Sequence, residues 1–446
     1  MTHATRATPT RIPGHPILGN LRAYRKDPLA FGREVAAQGD VIDLRMFRRS
    51  IFFLAHPEHV HQVLVRDASK FHKSPVYRIF LGRALGDGLL TSDGDFWRRQ
   101  RKLAQPAFHH GRIQSYAETM VDYADAAAER WTGREQLLIN KEMTQLTLEI
   151  VCRTLFSTDI RAQADRIGFA LTELLEAIAD ATGAAVFVPE WLPTRNNRRI
   201  RRAVAELDSV IMPLIQERRR SGGDTGDLLS MLMLARDEDG NGMSDKQVRD
   251  EAVTIVLAGH ETTANALTWA WVLLAQHPEV EAKLHAELNV VLGGELPTLA
   301  HVRDLTYTDM VIKETMRLYP PIPEFARQAL QDVQLGEYVM PAGTIVMISV
   351  FALHHDPRWF SEPDVFRPER FAKDAAQTPP KFAYLPFGGG PRVCIGNSFA
   401  QMEAALLLAT LAQRYRLSLA PGQTVTPEAT LTLRLKDDLT MHLHAR

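Results

Sequence analysis

The run from Ser244 to Gln276 sets the reading of the chain. It contains no proline, and apolar residues surround nearly the whole circumference of a 3.6-residue helix. They read Ala-Val-Thr-Ile-Val-Leu-Ala before the middle and Ala-Leu-Thr-Trp-Ala-Trp-Val-Leu-Leu-Ala after it. Ser244 and Gln247 have capping-box spacing, and His277-Pro278 closes the run. At 1.5 Å per residue this predicts a helix on the order of 48 Å long, buried on most sides. Its centre is polar, Gly259-His260-Glu261-Thr262-Thr263. Burying Glu and Thr is costly unless each is hydrogen-bonded, so this interruption is a candidate site.

Helical periodicity also marks Gln114–Trp131 and Pro278–Leu292. Strand-like alternation marks Val41–Ala55, two strands around a tip at Arg48-Arg49-Ser50, then Gln334–Ile348 and Ala429–His444. Residues 1–20, rich in Pro and Gly, read as an irregular arm. No internal repeat, low-complexity block or long Gly/Ser linker divides the chain. The expected fold is mainly α with a small β lobe, as one domain over 1–446.

Charge excludes one class of partner: 52 Lys+Arg against 53 Asp+Glu leave a net charge of −1, so no global field attracts nucleic acid. Two cysteines far apart, Cys152 and Cys394, exclude a disulfide framework. The first residues lack the apolar core of a signal peptide, and no apolar run nears the roughly 20 residues of a membrane span. A cytoplasmic monomer is expected.

Several motifs fail on inspection. His260-Glu261 begins HExxH, but the fifth position is Ala264, so the second zinc ligand is missing. Gly388-Gly389-Gly390 is not a phosphate loop, because Val393 occupies the position of the third glycine. Cys394 has no CxxC partner, and no GxSxG elbow occurs. Cys152, inside the helical run Leu146–Phe156, reads as a small buried hydrophobe. Cys394 differs: it follows Phe387-Gly388-Gly389-Gly390-Pro391-Arg392-Val393 and precedes Ile395-Gly396 and an apolar helix. Glycines let backbone approach a flat object, and a helix N-terminus favours a thiolate.

This segment, FGGGPRVCIG, resembles the haem-binding signature of the cytochrome P450 superfamily. Glu314-Thr315-Met316-Arg317 is similar to its ExxR helix, Phe366–Phe371 to its PERF segment, and Ala258–Thr263 to its oxygen-binding AGxxT centre. The resemblance implies a P450 fold, haem b ligated by Cys394, and O2-dependent oxygenation of an apolar organic substrate. A thiolate ligand pushes electron density onto iron. Phe387 resembles the aromatic that shields the sulfur, and Gly396 completes the signature. Glu314, Arg317 and Arg370 match a buried triad supporting the Cys loop. Trp97 and Arg101 match the WxxxR helix and, with Arg327 and Arg392, the propionate partners. Ala258 and Gly259, with their small side chains, would leave room for O2 and a water. Thr262 would act as proton relay, with Glu261 carrying protons from solvent.

The resemblance also implies electrons from separate proteins, a ferredoxin or flavodoxin with an NAD(P)H reductase. The cluster Arg98, Arg99, Lys102, Arg112 is a candidate docking surface. By the segments that line the pocket in the family, the resemblance implies as pocket residues Val76, Tyr77, Phe80, Leu81, Leu89, Phe187, Leu257 and Ile322, an apolar set, with Glu324 as a polar selector on the face of Ile322. A peroxide-driven peroxygenase or a haem-thiolate protein that is not an oxygenase would share the fold. The Glu261-Thr262 pair favours the monooxygenase, since only that chemistry needs protons delivered to O2.

Overall fold

The computed structural model describes residues 8–47, 49–157, 161–184, 189, 191–375 and 377–446. It divides into two compact units. One comprises Met1–Pro75, Lys313–Cys394 and Thr432–Arg434; the other comprises Val76–Ile312, Ile395–Leu431 and Leu435–Arg446.

The first unit is built on a six-stranded mixed sheet. Its spatial order is Thr10–Arg11, Val41–Met46, Arg49–Leu54, Ile345–Ser349, Glu324–Ala329, Phe71–Lys73. The expected hairpin forms with Val41 opposite Leu54 and Ile42 opposite Phe53, but Arg49 and Ser50, expected in the tip, are strand residues opposite Met46 and Arg45. Phe52 and Leu54 pack into one core cluster and Ile51 and Phe53 into the other, so both faces of the sheet are covered. That double burial explains the unbroken apolar run Ile51–Ala55, where a half-buried strand would alternate. One expectation is corrected here. Thr10 and Arg11, assigned to an irregular arm, form an edge strand parallel to Val41–Met46, and Arg11 bonds Asp43 through Nε at 2.8 Å.

The second unit is helical. The central helix spans Asp245–Gln276, with both capping-box bonds between Ser244 and Gln247 in place. Its closest partner is the Ile139–Phe156 helix. Arg161–Ala184 and Arg195–Ser221 form an antiparallel pair, and a three-stranded sheet joins Tyr415–Leu419, Thr440–Ala445 and Gln136–Leu138. Among the described residues no helix is long and apolar enough to cross a membrane.

Candidate active site

In the first unit, Cys394 closes a tight loop. Its N–H donates to Phe387 O at 3.0 Å, and Val393 N–H donates to Gly390 O at 3.0 Å. Gly388 and Gly390 both take φ of +68°, the left-handed region. A Cβ on Gly390 would stand 1.8 Å from Leu64 O, so backbone packing alone demands glycine there. Gly388 is different: nothing lies within 4 Å of its Cβ position. The Cys394 side chain is likewise accessible, whereas Cys152 is buried and its thiol is pushed up to about 12 by desolvation. One thiol of the two is therefore able to ligate.

The loop is fixed from below by a buried network. Glu314 and Arg317 are both fully buried and make a bidentate pair at 2.7 and 2.8 Å. Arg370 adds a bond to Glu314 Oε1 at 3.1 Å, which completes the expected triad. Arg317 also donates to the carbonyls of His354, Pro363 and Val365. His354 was not singled out in the sequence. Its Nδ1 lies 3.2 Å from Arg317 O, and its Nε2 accepts from Leu385 N–H at 2.9 Å. Leu385 O in turn accepts from Gly388 N–H at 3.0 Å. The ring thus connects the Glu314–Arg317 pair to the Cys394 loop. Burial holds it neutral, with its pKa pulled down to about 3. A neutral ring with one donor and one acceptor nitrogen is what these two bonds require.

Arg327 and Arg392 belong to the same unit and are half-buried. The Arg327 guanidinium stacks 5.0 Å from the Phe325 ring centroid and donates to Ala326 O at 3.0 Å. Glu324 accepts a short hydrogen bond from the Tyr24 hydroxyl. Burial pushes its carboxyl above the usual range. The partner of Glu324 is thus a phenol 300 residues away in the chain.

In the second unit, the middle of the central helix leaves Ala258, Glu261, Thr262 and Asn265 at least partly accessible, with Gly259 at the edge of the same patch. Their spacing places them on one stripe. Thr262 Oγ1 donates to Ala258 O at 2.7 Å. His260 points the other way: its Nδ1 bonds Val256 O at 2.9 Å, and its own carbonyl accepts from Thr147. Gly259 also has a different purpose from the one expected. A Cβ there would meet Val151 Cγ2 at 2.9 Å, so its lack of a side chain serves close packing against Ile139–Phe156. Room beside Thr262 is left by Ala258.

Acids at the start of this helix hold the Gly86–Leu89 turn. Asp250 accepts from Asp87 N–H at 2.9 Å, and fully buried Glu251 accepts from Leu89 N–H at 3.0 Å. Trp97 is buried and Arg101 half-buried on the Gly94–Ala104 helix, one turn apart. Gly396 leaves only Phe108, at 3.9 Å, near its Cβ position. Of the pocket candidates, Val76 is exposed, Tyr77, Phe80 and Ile322 half-buried, and Leu89 and Leu257 buried. Leu81, at 1 % exposure, is core and has no surface to offer a substrate. Phe187 lies outside the described residues.

The basic cluster is largely neutralised within its own unit. Arg98 pairs with Asp95, Lys102 with Glu238, and Arg99 with Asp237 at 2.7 Å. Arg99 also reaches the carbonyls of Asn241 and Gly242. An acidic docking partner gains little from charges already matched.

Glu403, buried on the Asn397–Arg414 helix, was also missed. Burial pushes its carboxyl up to about 8, with the Thr263 hydroxyl opposing the shift. The native state therefore holds this proton more tightly than the unfolded chain, whose ordinary value is 4.5. The group's contribution to stability is complete below pH 4.5 and is lost as pH rises through 8. Glu403→Gln should raise the melting temperature above pH 8 and leave it nearly unchanged below pH 4.5; equal shifts at both would contradict this.

The residues fit haem b. The first unit offers an accessible thiol on a loop with a vacant glycine face at Gly388, and cationic Arg327 and Arg392. A family model for cytochrome P450 matches residues 9–442. Cyclooctatin synthase of Streptomyces melanosporofaciens is 40 % identical over 427 residues, covering 94 % of this chain and 92 % of that protein. Cyclooctat-9-en-7-ol 5-monooxygenase of the same organism is 40 % identical over 412 residues, covering 92 % and 89 %. Pentalenene oxygenase of Streptomyces avermitilis is 33 % identical, covering 97 % and 96 %. Among solved structures, the haem domain of cytochrome P450DA superposes with a TM-score of 0.89 at 29 % identity, covering 99 % of this chain and 98 % of that one. A cyanobacterial P450 with retinoic acid bound gives 0.88 at 26 % identity, covering 99 % and 100 %. The chain belongs to the cytochrome P450 family and is a haem-thiolate monooxygenase with haem b as its cofactor.

Proposed function

We propose that this monooxygenase oxidises an olefinic, terpenoid-type hydrocarbon or its alcohol, with Cys394 as the thiolate ligand. Haem, when bound, supplies O2 activation. Trp97, Arg101, Arg327 and Arg392 would hold its propionates, as the family pattern at these positions suggests. Inserting one oxygen atom and releasing the other as water takes two electrons and two protons per O2. Redox partners supply the electrons, and a ferredoxin or flavodoxin with its reductase suits a chain of this family. The whole of 1–446 acting as one haem domain is supported by the 99 % coverage of the P450DA haem domain. A cytoplasmic location suits a thiol that must stay reduced.

Protons fall to Thr262 and Glu261. The Thr262 hydroxyl hydrogen rests on Ala258 O, while the oxygen lone pairs stay able to accept. Turning that hydrogen away breaks one hydrogen bond, a cost of about 1 kcal/mol, so the hydroxyl can accept a proton on one side and donate on the other. Glu261, the adjacent accessible carboxylate, would exchange protons with solvent.

The observation that carries the substrate reading is the relatives' own substrates, an alkenol and pentalenene by name, at 40 % and 33 % identity. Glu324 adds a reason to favour the alcohol. Its carboxyl, pushed above the usual value by burial and accepting from Tyr24, offers a polar contact that suits a substrate hydroxyl. The test is a spin-state titration of matched alkene and alkenol pairs with wild type and Glu324→Met. Alkenol affinity should fall about tenfold relative to the alkene. Equal losses for both would remove Glu324 as a selector, and no response to any such compound would overturn the substrate class.

A further inference from the structure

Two irregular stretches of backbone in the first unit meet at the Cys394 loop. One is Phe382, whose φ of +73° lies in the left-handed region that a bulky residue rarely enters. The other follows the short helix Pro57–His61, which continues as a π-helical turn over Gln62–Arg66. There Asp67 N–H reaches back five residues to Gln62 O at 2.8 Å. Buried Gln62 and Asp67 also lock the turn through their side chains, with Gln62 Nε2 donating to Asp67 Oδ2 at 2.7 Å. Single π turns of this kind collect at functional sites.

Both stretches press on glycines of the loop. Leu64, inside the π turn, directs its carbonyl at Gly390, where a Cβ would stand 1.8 Å from the oxygen. The Phe382 ring lies on Gly389, where a Cβ would stand 2.5 Å from Cε1. The two glycines differ in kind. Gly390 takes φ of +68°, so its backbone alone favours glycine. Gly389 has φ −162° and ψ 170°, extended backbone open to any residue. The three atoms nearest its Cβ position all belong to the Phe382 ring, so the ring is what requires glycine there. The ring is itself held. The His61 ring stands 4.9 Å away, and Lys381 Nζ lies 6.0 Å from its centroid. His61 is the last residue before the π turn, so one helix end braces both contacts.

We infer that Phe382 is a positioning residue for Cys394: its ring on Gly389, together with the Leu64 carbonyl on Gly390, fixes the loop that carries the thiolate and thereby sets the reduction potential of the bound haem. The inference rests on Cys394 being the thiolate ligand. Electron donation from the sulfur favours ferric iron, and it weakens when the loop is free to shift. Backbone strain persists where the surroundings fix it, and at Phe382 they are Gly389, His61 and Lys381.

Spectroelectrochemical titration of the haem-loaded protein tests this, beside its CO-difference spectrum and melting temperature. Phe382→Ala should shift the ferric–ferrous equilibrium about tenfold toward ferrous, a rise of about 59 mV. Phe382→Tyr keeps the ring and should keep the wild-type potential. Phe382→Gly should share the potential of Phe382→Ala yet melt higher, because φ of +73° is open to glycine. Gly389→Ala drives a methyl into the ring and should raise the potential by itself. Combined with Phe382→Ala it should add little, since the methyl then meets no ring. Gly389→Ala also supplies the comparison should Phe382→Ala lose its haem. A wild-type potential in both single variants, whatever their melting temperatures, would overturn the proposal, and so would additive shifts in the double variant. A wild-type CO complex without the red-shifted Soret band would overturn it at its root, by removing the thiolate on which it rests.

Discussion

Thr262→Ala is expected to leave haem content and substrate-induced spectra intact while product formed per NAD(P)H consumed falls about tenfold or more. The reducing equivalents would leave as hydrogen peroxide or water. The reason is local. The accessible stripe of the central helix offers a single hydroxyl, that of Thr262, and Ala cannot relay a proton. The backbone should tolerate the change, because the hydrogen bond lost is to Ala258 O, a carbonyl that already accepts within the helix. Product and peroxide are measured together with saturating redox partners. Full coupling in the variant would remove Thr262 from the relay. Recovery of activity only with added peroxide would support the assignment, since that route bypasses proton delivery to O2.

Arg317→Lys is expected to abolish haem retention. Arg317 has no exposed surface and makes five hydrogen bonds, two to Glu314 and three to backbone carbonyls. A lysine ammonium has three donors and no planar fork, so the bidentate pair is lost and Glu314 stays buried without its full partner. Breaking a buried pair of this kind typically costs about 3–5 kcal/mol. The loss should reach Cys394 through His354, Leu385 and Gly388, the bonded path described above. Haem-to-protein absorbance ratios after purification measure it, and the melting temperature reports the folding cost. A variant with full haem occupancy and wild-type stability would contradict the path.

The features legible in the sequence were those whose chemistry is local. The capping box and the absence of proline set the ends of Asp245–Gln276, and both bonds are present. The i,i+3 spacing of Glu314 and Arg317 sets their pairing, and the pair forms. What sequence could not show depends on residues far apart. Nothing near Gly259 indicates that Val151 stands where its Cβ would be, so its small size was assigned to oxygen instead of helix packing. Nothing near Glu324 points to Tyr24, and nothing near Arg99 points to Asp237. His354 stands in Leu353-His354-His355-Asp356, where both rings are buried and only the distant partners Arg317 and Leu385 make His354 the connector. Leu81 was placed in the pocket by its position in the apolar segment before Trp97, but apolarity is a property that core and pocket share.

The CO-difference spectrum of the dithionite-reduced protein tests the central assignment, haem held by the Cys394 thiolate. The wild type should show the strong red shift of the Soret band that thiolate ligation produces. Cys394→His, if it retains haem, should lose that shift and give the band of an imidazole-ligated haem. A wild-type spectrum without the red shift, or a Cys394→His spectrum that keeps it, would contradict the account.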